Sequence, residues 1–256
     1  MIQMWAAHAA HFTIRAVKVE VIMINNDMKF SKRFDNTLLK PESTWNEIVI
    51  FIDETISYDF RNLVIPWYAI PYASKRVRDT DVGINVGPGA FPFGFSPTEL
   101  KLREIQYYLT LGETVTDFDI VINISAVKSM DWDFVEKEMR VLSEPVKKAG
   151  KVCKFIIETS RLTEEEIVKV CQIIVDVPTV DYVKTGTGFG PRETSYRDVE
   201  LINSVVEGKK LIKVSGGVRT LEQVQEFMKR GASIFGSSSS ASIVDEYNRT
   251  ALRRKG

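Results

Sequence analysis

The chain has 256 residues, 44% hydrophobic and 27% charged, and its 34 basic side chains are matched by 34 acidic ones. This length suits one large α/β domain, and the balanced charge gives no global basic surface for nucleic acid. Only Cys153 and Cys171 carry thiols, and both lie in apolar runs. We therefore expect free thiols in a cytoplasmic protein and no disulfide framework. No run approaches the roughly 20 apolar residues that span a bilayer, so we predict no membrane partner.

The first 27 residues read as an extension upstream of Met28, and they lack the basic start of a secretory signal. His8 and His11 lie in this stretch without other metal ligands nearby, so we expect a solvated tail and no metal. We predict an N-terminal extension of uncertain structure at 1–29, a barrel domain at 30–250 and a C-terminal tail at 251–256.

Short β-branched runs alternate with amphipathic stretches along the rest of the chain. The predicted strands, in order, are 37–39, 62–66, 81–87, 117–125, 151–159, 181–186, 210–217 and 232–237. Helix start signals lie between them at Thr44, Asp131, Thr163 and Thr220. Three of these are threonines followed three residues later by Glu or Gln, which is the spacing of a capping box.

Apolar strands separated by helices are typical of a parallel sheet that is covered on both faces. Eight β-α units in about 220 residues favour a closed barrel over an open doubly wound sheet. No GxGxxG follows the first strand, so a dinucleotide site has little support. The sequence thus predicts an α/β protein with a single (β/α)8 TIM barrel and an N-terminal extension. Pro145 is expected to kink or end the helix in which it lies.

Two lysines and an aspartate stand out because they lie inside apolar strands. If Ile120 and Ile122 face the helices, strand alternation points Asp119 into the barrel. Lys184 and Lys213 lie on the sixth and seventh strands, which are about 4.8 Å apart. Desolvation and mutual repulsion would lower the pKa of one lysine, as an amine nucleophile requires.

Asp119 could then relay protons through Lys213 or a bound water. The plain alternative is that such a lysine is an edge residue or an ion-pair partner of Asp119. Two lysines in consecutive apolar strands, each followed within three residues by glycine, favour the catalytic interpretation.

Glycine-rich segments follow the last three strands at 186–190, 215–219 and 236–240. Loops after strands 7 and 8, with a short helix N-terminus, form the usual phosphate cradle of such barrels. Gly and Ser also simply make turns, which is the plain alternative. Three such clusters at the same end of consecutive strands favour an anion site.

The sequence resembles the deoxyribose-phosphate aldolase family from Phe34 to about Val244. The segments that carry the resemblance are Phe34–Pro41, Phe91–Gly94, Asp119–Ser129, Ile157–Ser160, Val183–Phe189, Lys213–Thr220 and Gly236–Ser239. Taken in this order and spacing, they are specific.

The resemblance implies a class I aldolase that reversibly cleaves 2-deoxy-D-ribose 5-phosphate to acetaldehyde and D-glyceraldehyde 3-phosphate, without metal or organic cofactor. It implies that Lys184 forms the Schiff base, that Lys213 perturbs its pKa and that Asp119 joins the proton relay. The residues it implies for the substrate hydroxyls are Asp35, Thr37 and Thr187, and those for the phosphate are Gly188, Gly216, Gly217, Gly236, Ser238 and Ser239. It further implies a homodimer or homotetramer.

The chain departs from the family pattern around the mouth of the barrel. It has Asn36 where the family often has His, Gly186 where it has Ser, and Ser125 where it has Gly. Leu63–Pro66 replaces Cys-Val-Asn-Pro, and residues 81–98 match only at their Phe91–Gly94 core. These differences leave two alternatives open, namely a related Schiff-base aldolase that acts on another phosphorylated sugar or aldehyde, and a non-catalytic sugar-phosphate-binding barrel.

Overall fold

The computed structural model describes residues 28–253. The predictions for residues 1–27, including His8 and His11, and for residues 254–256 of the tail lie outside this range. Within it, no helix is both long enough and apolar enough to cross a bilayer.

Over the described residues, eight parallel strands close into a barrel in which β8 pairs with β1. The strands are Phe34–Thr37 (β1), Asn62–Val64 (β2), Gly83–Val86 (β3), Val115–Val121 (β4), Val152–Ile156 (β5), Tyr182–Lys184 (β6), Leu211–Ser215 (β7) and Ile234–Ser237 (β8). Each strand pairs with its neighbour in sequence order. The predicted (β/α)8 barrel is therefore confirmed.

Helices surround the barrel and connect its strands. They are Trp45–Ser57 (α1), Ile70–Val77 (α2), Thr98–Leu109 (α3), Ile124–Lys128 (α4), Trp132–Lys148 (α5), Glu164–Asp176 (α6), Tyr196–Val206 (α7), Leu221–Lys229 (α8) and Ser240–Arg253 (α9). Capping boxes at Thr44, Thr163 and Thr220 start α1, α6 and α8 as predicted. Asp131 caps α5, and a further box at Ser195 starts α7.

Local predictions differ from the structure at the first and fourth strands. The strand expected at 117–125 ends at Val121, because Asn123 caps α4, which begins at Ile124. The first strand is predicted at 37–39, whereas β1 spans Phe34–Thr37, because the pairing with β8 that closes the barrel uses Phe34, Asp35 and Asn36. Of the two outcomes predicted for Pro145, an end of the helix is not found, because α5 continues to Lys148, and a kink stays a prediction.

The strands separate an apolar layer from a polar one. Side chains such as Phe118, Phe155 and Phe235 face the helices and are fully buried in the hydrophobic core. Alternate residues on the same strands point inward, and in this barrel many of them carry charge, including Asp119, Lys154 and Lys213. Barrel interiors are usually filled by branched apolar side chains, so a charged interior at this depth indicates a functional site.

Candidate active site

The structure brings Asp119, Lys184 and Lys213 together inside the barrel. Lys184 and Lys213 are register partners on β6 and β7, so their side chains leave the sheet at the same depth. Each lysine Nζ lies 2.7 Å from Asp119 Oδ2, which places the two amines within twice that distance of each other. One carboxylate oxygen therefore holds both amines.

Lys154 is a third interior lysine that the sequence analysis missed. It lies on β5, is fully buried, and donates to Asp119 Oδ1 at 3.0 Å. It also pairs with Asp117 on β4. The signal that could have found it was present, because Lys154 lies within the apolar run 151–159 as Lys184 and Lys213 lie within theirs.

Asp35, which is predicted to contact a substrate hydroxyl, lies below the cavity inside the barrel. It is fully buried and accepts from Arg61 and Asn62 at 3.0 Å and from Asn85 at 3.3 Å, and it also pairs with Lys213. Its carboxylate is occupied by these four side chains. The predicted contact of Asp35 with a substrate hydroxyl thus stays a prediction, and its observed role is to hold Lys213.

Arg61, which directly precedes β2, joins these residues through a 2.7 Å ion pair with Asp117. We refer to seven residues as the interior charge cluster: Asp35, Arg61, Asp117, Asp119, Lys154, Lys184 and Lys213. The cluster contains one more cation than it has carboxylates. A buried excess charge is costly, so the cluster is electrically balanced when one of its cations gives up a proton.

Lys184 is the cation whose pKa falls. Burial lowers the pKa of Lys184 to about 8, Asp119 opposes this shift, and the nearby Lys213 adds to it. Desolvation is thus the larger cause and repulsion by Lys213 the smaller one. Burial alone would raise the pKa of Asp119, but Lys154, Lys184 and Lys213 outweigh it and hold that pKa well below its usual range. Asp119 therefore stays ionised while Lys184 can be neutral near physiological pH.

A cavity of about 360 Å³ opens above the cluster at the carboxyl ends of the strands. Lys184 and Lys213 reach it from below, and Thr37 and Thr187 lie in its wall. Of the predicted phosphate residues, Gly188, Gly216, Gly217, Gly236 and Ser238 line it. Ser239 does not, because its N–H turns toward Ser237 Oγ, and Ser237 lines the cavity instead. Two cationic residues in the lining, Lys40 and Arg219, were not predicted.

The loop after β7 depends on glycine. Gly216 and Gly217 have φ values of +91° and +93°, in the left-handed region that favours glycine. A Cβ at Gly217 would lie 2.6 Å from the Glu193 carboxylate, so a side chain would not fit there. The backbone can approach an anion closely because these positions carry no side chains.

A larger cavity of about 570 Å³ lies at the opposite end of the barrel, beside Gly83, the first residue of β3, and Thr116, the second residue of β4. Its lining contains no lysine. Since barrel chemistry is located at the carboxyl ends of the strands, the smaller cavity above the lysines is the candidate active site.

No family model matches the chain. It is 39% identical to the deoxyribose-phosphate aldolase of Thermoanaerobacter sp. over 226 residues, which cover 88% of this chain and 100% of that protein. It is 38% identical to the deoxyribose-phosphate aldolase of Dictyoglomus turgidum over 221 residues, which cover 86% of this chain and 98% of the relative.

Solved structures agree with these relatives. A structure described as an aldolase superposes with a TM-score of 0.80 and 33% identity, covering 88% of this chain and 98% of that one. The tetrameric deoxyribose phosphate aldolase of Aeropyrum pernix gives a TM-score of 0.77 and 26% identity, covering 85% and 90%.

We expect Lys154→Met to destabilise the protein by about 3–5 kcal/mol, because it breaks the buried ion pairs of Lys154 with Asp117 and Asp119 and leaves Asp117 paired with Arg61 alone. Adding Asp117→Asn should recover part of that loss, since it removes the carboxylate that Lys154 neutralised. Urea unfolding measures both. Lys148→Met, on an exposed part of α5, is the matched control and should change the free energy of unfolding by less than about 0.5 kcal/mol. Equal stability of wild type and Lys154→Met would show that the cluster does not depend on this cation.

Proposed function

The chain belongs to the deoxyribose-phosphate aldolase family, and we propose that it cleaves 2-deoxy-D-ribose 5-phosphate through a Schiff base on Lys184. The observation that carries this proposal is the buried amine of Lys184, with its pKa lowered to about 8 and its Nζ 2.7 Å from a carboxylate at the base of an open cavity. An amine nucleophile must be unprotonated, and a pKa of about 8 leaves roughly a tenth of Lys184 neutral at pH 7, against less than about a thousandth for an ordinary lysine.

In the proposed reaction, Lys184 Nζ attacks the aldehyde carbon C1 of the open-chain sugar, and water leaves to give an iminium ion. The C3 hydroxyl then loses its proton and the C2–C3 bond breaks. Its electron pair moves into the iminium, so the products are glyceraldehyde 3-phosphate and an enamine on Lys184. Protonation of C2 and hydrolysis by water release acetaldehyde and restore the amine. The imine takes up the electrons that would otherwise form a free carbanion.

Lys213 and Asp119 have supporting roles in this proposal. Asp119 Oδ2 contacts both amines, so a proton can pass between Lys184 and Lys213 along two hydrogen bonds of 2.7 Å. Lys213 also disfavours the charged form of Lys184. The proton relay predicted from the sequence therefore has a continuous hydrogen-bonded path to act through.

We further propose that the glycine and serine loops hold the substrate phosphate. Gly188, Gly216, Gly217, Gly236 and Ser238 line the cavity on one side, and Ser239 precedes the N-terminus of α9. A helix N-terminus and free backbone N–H groups attract an anion. The cationic residues Lys40 and Arg219 in the same lining support this placement.

Residues 63–98, which depart most from the family pattern, contribute two aromatic side chains, Trp67 and Phe91, next to a ring of the cavity lining. The ring of Phe91 lies 5.9 Å from Phe189 and 6.1 Å from Trp67, and Phe189 lines the cavity. Of these three rings Phe189 is the one that lines the cavity, and Phe91 and Trp67 can affect the cavity through the position of Phe189. A related aldolase that accepts a different aldehyde would be expected to differ from this protein in this group of aromatic residues.

We also propose a homo-oligomer in the cytoplasm, either a dimer or a tetramer. The Aeropyrum pernix relative is described as tetrameric. The two buried cysteines, Cys153 and Cys171, are free thiols, as a reducing compartment would keep them.

Borohydride added in the presence of deoxyribose 5-phosphate should trap a stable adduct on Lys184, detected by peptide mass spectrometry. Lys184→Leu should abolish both the adduct and retro-aldol turnover, because no neutral amine remains in the cavity. Lys209→Leu, which removes an exposed lysine, serves as the control and should keep both. An unchanged protein mass after reduction, or full activity of Lys184→Leu, would refute the mechanism.

Ser238→Ala should raise KM for deoxyribose 5-phosphate by about tenfold to a hundredfold, since a hydrogen bond to a charged group is worth about 1.5–3 kcal/mol. Cleavage of deoxyribose without its phosphate should be unaffected. Ser242→Ala, an exposed serine of α9 whose hydroxyl donates to Ser239 O, is the matched control. Equal effects of Ser238→Ala on both sugars would place the phosphate elsewhere.

A further inference from the structure

Glu158 is a buried carboxylate that the proposed reaction does not use. It follows β5 in the segment Ile157–Ser160 and is 3% exposed. Its backbone adopts a left-handed conformation with φ +54°, which is unfavourable for a residue with a side chain. The flanking backbone is fixed, because Ile157 N donates to Lys184 O and Thr159 N donates to Thr185 O. The strained residue is thus held in place beside the loop that follows Lys184.

The Glu158 carboxylate is surrounded by the loop that follows β6. Its Oε2 accepts from the Thr187 N–H at 3.1 Å and from the Thr187 hydroxyl, and its Oε1 accepts from Ser160 Oγ at 2.7 Å. A Cβ at Gly190 would lie 2.6 Å from this carboxylate, so the loop passes close to it. Within residues 28–253 Glu158 forms no ion pair. Neutral groups donate its hydrogen bonds, and the Arg192 guanidinium interacts with it electrostatically.

The contacts of Thr187 determine what its hydroxyl can do. The Thr187 hydroxyl donates its one proton to Glu158 Oε2. One lone pair of Thr187 Oγ1 accepts from the Phe189 N–H at 3.1 Å. A hydroxyl has one proton and two lone pairs, so a single lone pair is left for the cavity that Thr187 lines.

We propose that Glu158 is a positioning residue that makes Thr187 an obligate hydrogen-bond acceptor toward the substrate. Only a group with a hydrogen to donate, such as a sugar hydroxyl, satisfies Thr187 in this state, whereas a phosphate dianion cannot. Glu158 therefore acts through Thr187 to select aldehydes that carry a hydroxyl group. This inference rests on the proposed aldolase function.

The test uses the condensation direction, with acetaldehyde as donor and two acceptor aldehydes. One acceptor is D-glyceraldehyde 3-phosphate, and the other is 3-oxopropyl phosphate, which lacks the 2-hydroxyl. The wild type should prefer the hydroxylated aldehyde, and Glu158→Leu should reduce the ratio of the two kcat/KM values about tenfold. A merely structural role would lower both values equally and leave the ratio unchanged, which would overturn the proposal.

Glu158→Gln is the conservative variant, because its amide oxygen can still accept from Thr187 while its NH2 group donates to Ser160. It should keep most of the preference. Thr187→Val should lose the preference, Thr187→Ser should retain it, and adding Glu158→Leu to Thr187→Val should change the ratio no further. If Glu158→Leu does not fold, the test rests on Glu158→Gln, Thr187→Val and Thr187→Ser. Loss of the preference in Glu158→Gln or Thr187→Ser, or its retention in Thr187→Val, would overturn the assignment.

Borohydride labelling with acetaldehyde alone separates this inference from the proposed function. Labelling of Lys184 in each variant would show that the barrel is folded and the amine reactive. A labelled protein whose preference is insensitive to Glu158→Leu would contradict only the role of Glu158. A wild-type protein that is not labelled would instead contradict the Schiff-base mechanism.

Discussion

The site depends on one shared carboxylate, Asp119, which holds three lysine amines in the interior of a closed barrel. Four cations surround three carboxylates there. The surplus positive charge is removed when Lys184, the lysine with the lowered pKa, gives up its proton. Closure of the barrel makes this possible, because burial on every side desolvates amines that water would otherwise keep protonated. The proposed Schiff-base chemistry therefore depends on the closed barrel, because the barrel buries the amine of Lys184.

Much of this arrangement could be predicted from local patterns. Alternating apolar and polar residues placed Asp119 inside the barrel, and lysines within apolar runs identified Lys184 and Lys213. Capping boxes located the starts of α1, α6 and α8, because such a box is a local interaction over four residues. Features that depend on a few neighbouring residues or on strand order were therefore accessible without coordinates.

The partners of Asp35 and Arg61 could not be predicted in this way. Asp35 meets Lys213 across more than 170 residues of chain, and the contact depends on how β1 and β8 close the barrel. Strand shear decides which inward residues share a depth, and no short motif encodes it. The same holds for Glu158, whose left-handed backbone and contact with Thr187 follow from the pairing of β5 with β6 and the loop beyond it.

The charge state of Lys184 is the most direct measure of this account. Nuclear magnetic resonance of protein labelled with ¹⁵N at lysine Nζ would follow its titration, with Lys184→Leu assigning the signal. We expect a midpoint near pH 8, and a higher midpoint in Lys213→Met, because that variant removes a cation that disfavours the ammonium form. A midpoint near the ordinary lysine value of about 10.4, or one that Lys213→Met leaves unchanged, would contradict it.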